Sequence, residues 1–155
     1  MKELPDGEKF QMTTICPSLV VGKPLHAHAG FTSAEIVMKM FTGNFPIMYD
    51  KFGIVRVEDV SLAHLRAITT PEAAGKRFIL SGETMWLRDM AQNIFSEFNS
   101  LGYRVKTGET SYALTWIVSI FMKEVNSVLG LWGQGVYFDH SQVEKILGIE
   151  FQSVS

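Results

Sequence analysis

The chain has 155 residues, enough for one domain around one core. Hydrophobic residues make up 46% of it, which excludes a disordered composition. A formal net charge of −2, with the basic residues scattered, provides no positive field for nucleic acid.

Cys16 is the single cysteine, so no internal disulfide forms, which fits a reducing compartment such as the cytoplasm. The first seven residues carry acidic groups and a Pro-Asp-Gly turn, unlike a signal or transit peptide. The most apolar stretch, residues 112–122, is shorter than the roughly 20 residues a spanning helix takes. A soluble protein with no membrane partner is expected.

In chain order, Phe10 to Cys16 reads as a strand rich in Thr and Ile, and Pro17 is expected to end its pairing. Leu19-Val20-Val21-Gly22 follows, then an irregular loop from Lys23 to Gly30. Thr32-Ser33-Ala34-Glu35 is a capping box. It opens a helix in which Ile36, Val37, Met40 and Phe41 recur at helical spacing, and Gly43 stops it. Gly53 to Val57 is a short apolar strand. Asp59 is expected to cap the next helix, with Val60, Ala63, His64, Ala67 and Ile68 on one face.

Thr70-Pro71 closes that unit, Ala74-Gly75 makes a turn, and Arg77 to Leu80 is the next strand. Ser81-Gly82 reads as a turn. Thr84 is expected to cap a long helix with Leu87, Met90, Ala91, Ile94, Phe95 and Phe98 inside and Gly102 beyond its end. Tyr112 to Val125 reads as one helix, and Val136 to Phe138 as an extended piece. Ser141-Gln142-Val143-Glu144 is a second capping box, opening a short helix that ends at Gly148. The methionine and aromatic stripes, including Met38, Met40, Met85 and Met90, read as core filling. The alternation of strands and helices predicts an α/β fold with some parallel strands.

Several stretches carry a family resemblance. They are Thr13-Thr14-Ile15-Cys16-Pro17-Ser18-Leu19-Val20-Val21-Gly22-Lys23-Pro24-Leu25, Val55-Arg56-Val57-Glu58-Asp59-Val60 and its continuation to His64, residues 70–82, and Phe138 to Gly148. In this order and spacing they resemble the C-terminal half of an extended short-chain dehydrogenase/reductase of the epimerase/dehydratase family, dihydroflavonol-reductase-like. The resemblance implies an α/β fold: the C-terminal part of a Rossmann-type doubly wound fold plus its small α/β substrate-binding region. Residues 1–155 are then one incomplete domain. Residues 1–25 form the last part of the Rossmann core and the cofactor wall, and residues 26–155 mainly the substrate-binding region. It also implies NAD(P)-dependent oxidoreductase chemistry, the reduction of a ketone or aldehyde as small-molecule substrate.

The catalytic parts of such an enzyme are missing from this sequence. None of Tyr49, Tyr103, Tyr112 and Tyr137 is followed by Lys four residues on. A Tyr-x-x-x-Lys pair matters because the ammonium stabilises phenolate and lets the phenol exchange a proton near neutral pH. Gly130-Leu131-Trp132-Gly133-Gln134-Gly135 superficially resembles a dinucleotide loop, yet it follows a helix and opens none, so it reads as a flexible turn. The chain alone is therefore expected to be inactive, with no catalytic residue to name.

What the resemblance leaves is a cofactor-binding wall at Pro17, Ser18, Leu19 and Val20, whose backbone would lie beside the nicotinamide carboxamide. A strand-ending Pro followed by ordinary core residues explains the same letters, and both readings stand. His26 to Phe31 and Met48 to Phe52 would border the substrate pocket. His26 and His28 make half a metal site at most, with no third ligand at a telling spacing, so no metal is expected. His64 reads as a satisfied core histidine. Arg56 and Glu58 depart from the family pattern and can pair locally. Two other functions fit less well: a non-catalytic binding module, and a sugar-nucleotide epimerase or dehydratase, for whose diphosphate only Lys23, Lys51 and Arg56 are at hand.

Overall fold

The computed structural model describes residues 10–23 and 32–154. Its strands are β1 (Thr14–Pro17), β2 (Leu19–Val21), β3 (Lys51–Arg56), β4 (Arg77–Leu80) and β5 (Glu83–Trp86). Its α-helices are α1 (Thr32–Phe41), α2 (Val57–Thr69), α3 (Leu87–Phe98), α4 (Tyr112–Phe121) and α5 (Lys123–Val128). β1 pairs in parallel with β4, Pro17 opposite Leu80. β2 pairs in parallel with β3, and β5 joins the other edge of β3 antiparallel.

One short run, residues 14–21, thus feeds two sheets. Pro17 does not end the pairing early. The N–H groups of Thr14 and Ser18 both donate toward β4, to Lys76 and Leu80 (2.9 and 2.8 Å). By alternation the nitrogen of Pro17 faces the opposite edge, so its missing proton costs the ladder nothing. The strand also starts later than expected. Residues 10–13 are fixed instead by Gly75 N–H to the Met12 carbonyl (2.9 Å) and by the Thr13 hydroxyl to the Ala73 carbonyl (2.8 Å).

α2 lies beneath both sheets and joins them. Ala63 is buried and Val60 and Ala67 half-buried against Val55, Phe78 and Leu80, and Leu147 and Ile149 complete this first core. Two expectations for α2 fail. Arg56, not Asp59, is its N-cap residue, and Asp59 sits buried in the first turn, where a carboxylate complements the helix dipole. Ile68 is 84% exposed and His64 is exposed as well. The His64 Nδ1 lies 2.8 Å from the Val60 carbonyl oxygen, a local bond rather than core satisfaction.

β5 replaces the expected turn and cap after Leu80. Thr84 stands opposite Gly53 in the ladder, and α3 begins at Leu87, whose N–H donates to the Asp50 carbonyl (3.0 Å). From there the inner face of α3 follows its 3.6-residue period. Leu87 and Ala91 are buried, and Met90 and Ile94 pack beside Met40, Phe45, Ile47 and Met48 in a second core. Phe98 meets Phe41 and Tyr103 edge to face (5.0 and 6.1 Å).

The helix read from Tyr112 to Val125 breaks at Met122, whose backbone is extended, giving α4 and α5. Burial on α4 runs against its hydropathy. Thr115 and Ser119 face inward while Trp116, Ile117, Ile120 and Phe121 face outward. The two hydroxyls donate to the carbonyls of Ser111 and Trp116 (3.0 and 2.7 Å), so their burial leaves no orphan.

Two capping boxes also differ. Glu35 pairs with Lys39 (2.8 Å), and the Thr32 side chain lies outside the described residues. At the C-terminal end the Asp139 carboxylate accepts the Ser141 N–H (2.9 Å), which holds its pKa below the usual aspartate value. Residues 143–147 form a π-helical turn, and Val136 to Phe138 form no strand. Among the described residues no helix is long and apolar enough to cross a membrane.

Phe78 is fully buried between β1, α2 and the C-terminal turn. Phe78→Ala is expected to cost about 3–5 kcal/mol in urea unfolding followed by circular dichroism.

Candidate functional site

The crook between β1 and β2 holds the four residues expected at a cofactor wall. Pro17 is exposed at the end of β1. The Ser18 N–H is spent on Leu80, while its Oγ is buried with no partner among the described residues. An orphaned buried hydroxyl costs about 1–3 kcal/mol, so it marks a place where a polar partner fits. Leu19 stands opposite Ile54 and Val20 opposite Val55. Strand alternation therefore sends them to different faces.

Leu19 faces a cavity of about 100 Å³. β3 and β5 wall it with Phe52, Ile54 and Met85, and α3 with Leu87 and Met90. Ile36, Phe45, Met48 and Val125 close the remaining sides. No wall residue carries a charged or hydrogen-bonding side chain. Val20 instead packs into the first core under α2, so of the four wall residues only Leu19 reaches the cavity. Met48 and Phe52, from a stretch expected to border a pocket, do line it. Residues 24–31, which include His26, His28 and the rest of the other expected border, lie outside the described residues. No group of three metal-ligating residues is found among the described ones.

On the opposite face of β3 the chemistry is polar and aromatic. The Lys51 ammonium lies 4.6 Å above the Trp86 ring, 5.3 Å from the Tyr137 ring, and donates to the Tyr137 hydroxyl (2.8 Å). Tyr49 stacks on Trp86 at 4.7 Å. At the end of β3, off that face, Arg56 pairs with Glu58 (3.4 Å) and bonds Gln152. Lys51 and Arg56, two of the three basic residues weighed for a diphosphate, are thus already committed.

The Gly-rich segment is docked, not a free turn. The Gly133 N–H donates to the Tyr49 carbonyl (2.7 Å), and the Gly135 N–H to the Asp50 carboxylate. Gly135 has φ +67°, and a Cβ there would stand 3.1 Å from the Lys51 side chain, so glycine is needed for the close approach. Asp50 is buried and also accepts the Lys51 N–H (2.7 Å). Desolvation nonetheless dominates and raises its pKa above the ordinary 3.8.

Sequence reasoning missed two parts of this site. Met90 packs in the second core as expected, and it and Met85 also line the cavity, which their letters did not signal. Asp50 carried no motif, because its docking partner lies 85 residues away and only the fold joins them.

No protein-family profile matches the chain. Over 162 residues it is 28% identical to an uncharacterized oxidoreductase of Saccharomyces cerevisiae, covering 99% of this chain and 42% of that protein. It is 28% identical over 160 residues to a ketoreductase of Aspergillus niger, covering 97% and 42%. Among solved structures, the yeast methylglyoxal/isovaleraldehyde reductase Gre2 in complex with NADPH superposes with a TM-score of 0.68 at 22% identity, covering 96% of this chain and 41% of that one. The chain thus spans about two fifths of the length of these relatives. The resemblance to extended short-chain reductases holds over nearly its whole length. The fold matches part of a Rossmann-type α/β reductase.

The raised pKa of Asp50 sets a pH dependence. Its folded form holds the proton more tightly, so its burial is harmless at low pH and destabilises as pH rises from 3.8 through the folded value. Asp50→Asn keeps an acceptor oxygen and removes the charge. It is expected to raise the urea midpoint at pH 7, with the gain shrinking as pH falls toward 3.8.

Proposed function

We propose that this chain is the substrate-side part of an NAD(P)-dependent reductase of ketones or aldehydes, and that it does not turn over alone. The observation that carries the reading is the crook at residues 17–20, where Ser18, with its unpartnered hydroxyl, precedes Leu19, the crook residue that lines the apolar cavity. The relatives are a ketoreductase and oxidoreductases of the same fold, one of them seen with NADPH.

The residues present fit one end of such a cofactor. The Ser18 Oγ and the exposed backbone beside Pro17 offer a donor and acceptors of the kind an amide takes. Pro17, Ser18 and Leu19 would hold the nicotinamide end. A bound nicotinamide cofactor supplies the hydride. This chain's own part is to bind the carbonyl compound, orient it, and keep water from it with a wholly apolar wall. The Gly-rich segment offers a pyrophosphate no free donors at Gly133 and Gly135, because their N–H groups already donate to Tyr49 and Asp50. No Tyr-x-x-x-Lys pair is present to deliver the proton. The sugar-nucleotide reading is weakened by the same geometry, since Lys51 and Arg56 are engaged with Tyr137 and Glu58.

The test is a chimera. The upstream half of the yeast methylglyoxal reductase, joined ahead of residue 10, is expected to oxidise NADPH in the presence of a ketone, followed by absorbance loss. The chain alone is expected to give no rate and no calorimetric NADPH binding. A folded chimera that binds NADPH yet reduces no carbonyl compound, or tight NADPH binding by the chain alone, overturns the reading.

A further inference from the structure

We infer that the outer face of α4 is a docking surface for a second copy of this chain, the two helices packing antiparallel about a two-fold axis near Ile117.

The helix period defines that face. Thr115 and Ser119 are buried, and Val118 and Met122 pack on the second core, so these four residues fix the inward direction. At about 100° per residue, the opposite direction is centred on Ala113, Ile117 and Ile120, with Trp116 and Phe121 on its flanks. All five are exposed, Ile120 by 63% and Phe121 by 83%. A surface helix usually turns its apolar stripe to the core. This one turns two hydroxyls in and its large apolar side chains out.

Three properties select a second copy as the occupant. The first is area. Side chains of these sizes leave on the order of 500 Å² of apolar surface exposed, at the upper end of what a monomer shows. Two such faces together give about 1,000 Å², the least that a specific interface needs. Aromatic and branched apolar residues without charges are also what an interface centre carries. The second property is charge. No residue from Tyr112 to Phe121 is ionisable except the Tyr112 phenol, so the face meets its own copy without like-charge repulsion and without burying an unpaired ion. Antiparallel order also sets the positive end of each helix dipole beside the negative end of the other. The third is shape. With Ile117 of each copy on the axis, Ala113 lies opposite Phe121 of the partner subunit, small against large, at both ends of the contact.

Other occupants fit less well. A helix that lies on a membrane carries Lys or Arg on its polar side, and α4 has neither. A convex helix face gives a small molecule no pocket.

The test is the association state of the purified chain. Sedimentation velocity is expected to show a reversible monomer–dimer equilibrium with a dissociation constant on the order of 10 μM, as suits an interface of this size. Ile117→Glu and Ile117→Lys lie outside both cores, and each alone is expected to weaken the dimer by about 100-fold, because like charges then meet on the axis. An equimolar mixture of the two variants is expected to restore the dimer, which misfolding of either would not allow. Ile68→Glu, on the exposed face of α2, is expected to leave the dimer unchanged. A wild-type chain that stays monomeric, a dimer that survives Ile117→Glu, or a mixture of the charged variants that stays monomeric overturns the inference. So does binding of the wild-type chain to phosphatidylcholine vesicles in place of self-association.

Discussion

The site depends on how eight residues divide their hydrogen bonds. Residues 14–17 give theirs to β4, residues 19–21 give theirs to β3, and Ser18 donates the last bond to Leu80 between them. A strand that changes sheets must leave one pairing before it takes up the next. Proline suits the position because its nitrogen faces the edge that β4 does not use. The change of sheet opens the crook and leaves the Ser18 hydroxyl buried without a partner. α2 then holds the two sheets in one body by packing Ala63, Val60 and Ala67 beneath both.

The second constraint is the two-residue period of β3. Phe52 and Ile54 point into the cavity, and Lys51, Gly53 and Val55 point away. β5 follows in register, with Met85 beside Phe52 and Trp86 beside Lys51. One sheet therefore keeps a dry apolar chamber and a cation–aromatic stack a single residue apart without mixing them. Gly53 permits this on the polar side. A Cβ there would come within 2.9 Å of the Phe138 ring, so a larger residue would push the docked 133–138 segment off the sheet.

How much of this was legible depends on whether local letters or distant partners decide each element. β4 was read at its true bounds, because Arg77 to Leu80 is flanked by turn residues on both sides. The inner face of α3 was read correctly, because Leu87, Met90, Ala91 and Ile94 keep helical spacing over its first eight positions. β5 was not read, because Thr84 before an apolar run also spells a helix cap, and only the edge of β3 decides for a strand. The break at Met122 and the inverted burial of α4 left no trace in the letters. Thr115 and Ser119 can face inward because each hydroxyl is bonded within its own helix. The crook was legible as a resemblance. The split of Leu19 from Val20 was not, since it needs the register against Ile54 and Val55.

The Gly-rich segment shows why composition alone misleads about cofactor chemistry. A phosphate-binding loop works through free N–H groups converging at the start of a helix. In residues 130–135 the glycines are present, but their N–H groups point back at the protein: Gly133 to the Tyr49 carbonyl and Gly135 to the Asp50 carboxylate. That second bond spends the Gly135 N–H inside the protein, where a pyrophosphate would need a free donor. The glycines serve instead to bring the backbone within contact of Tyr49 and Lys51, which closes the polar face of β3 and leaves the apolar face as the one open to a ligand.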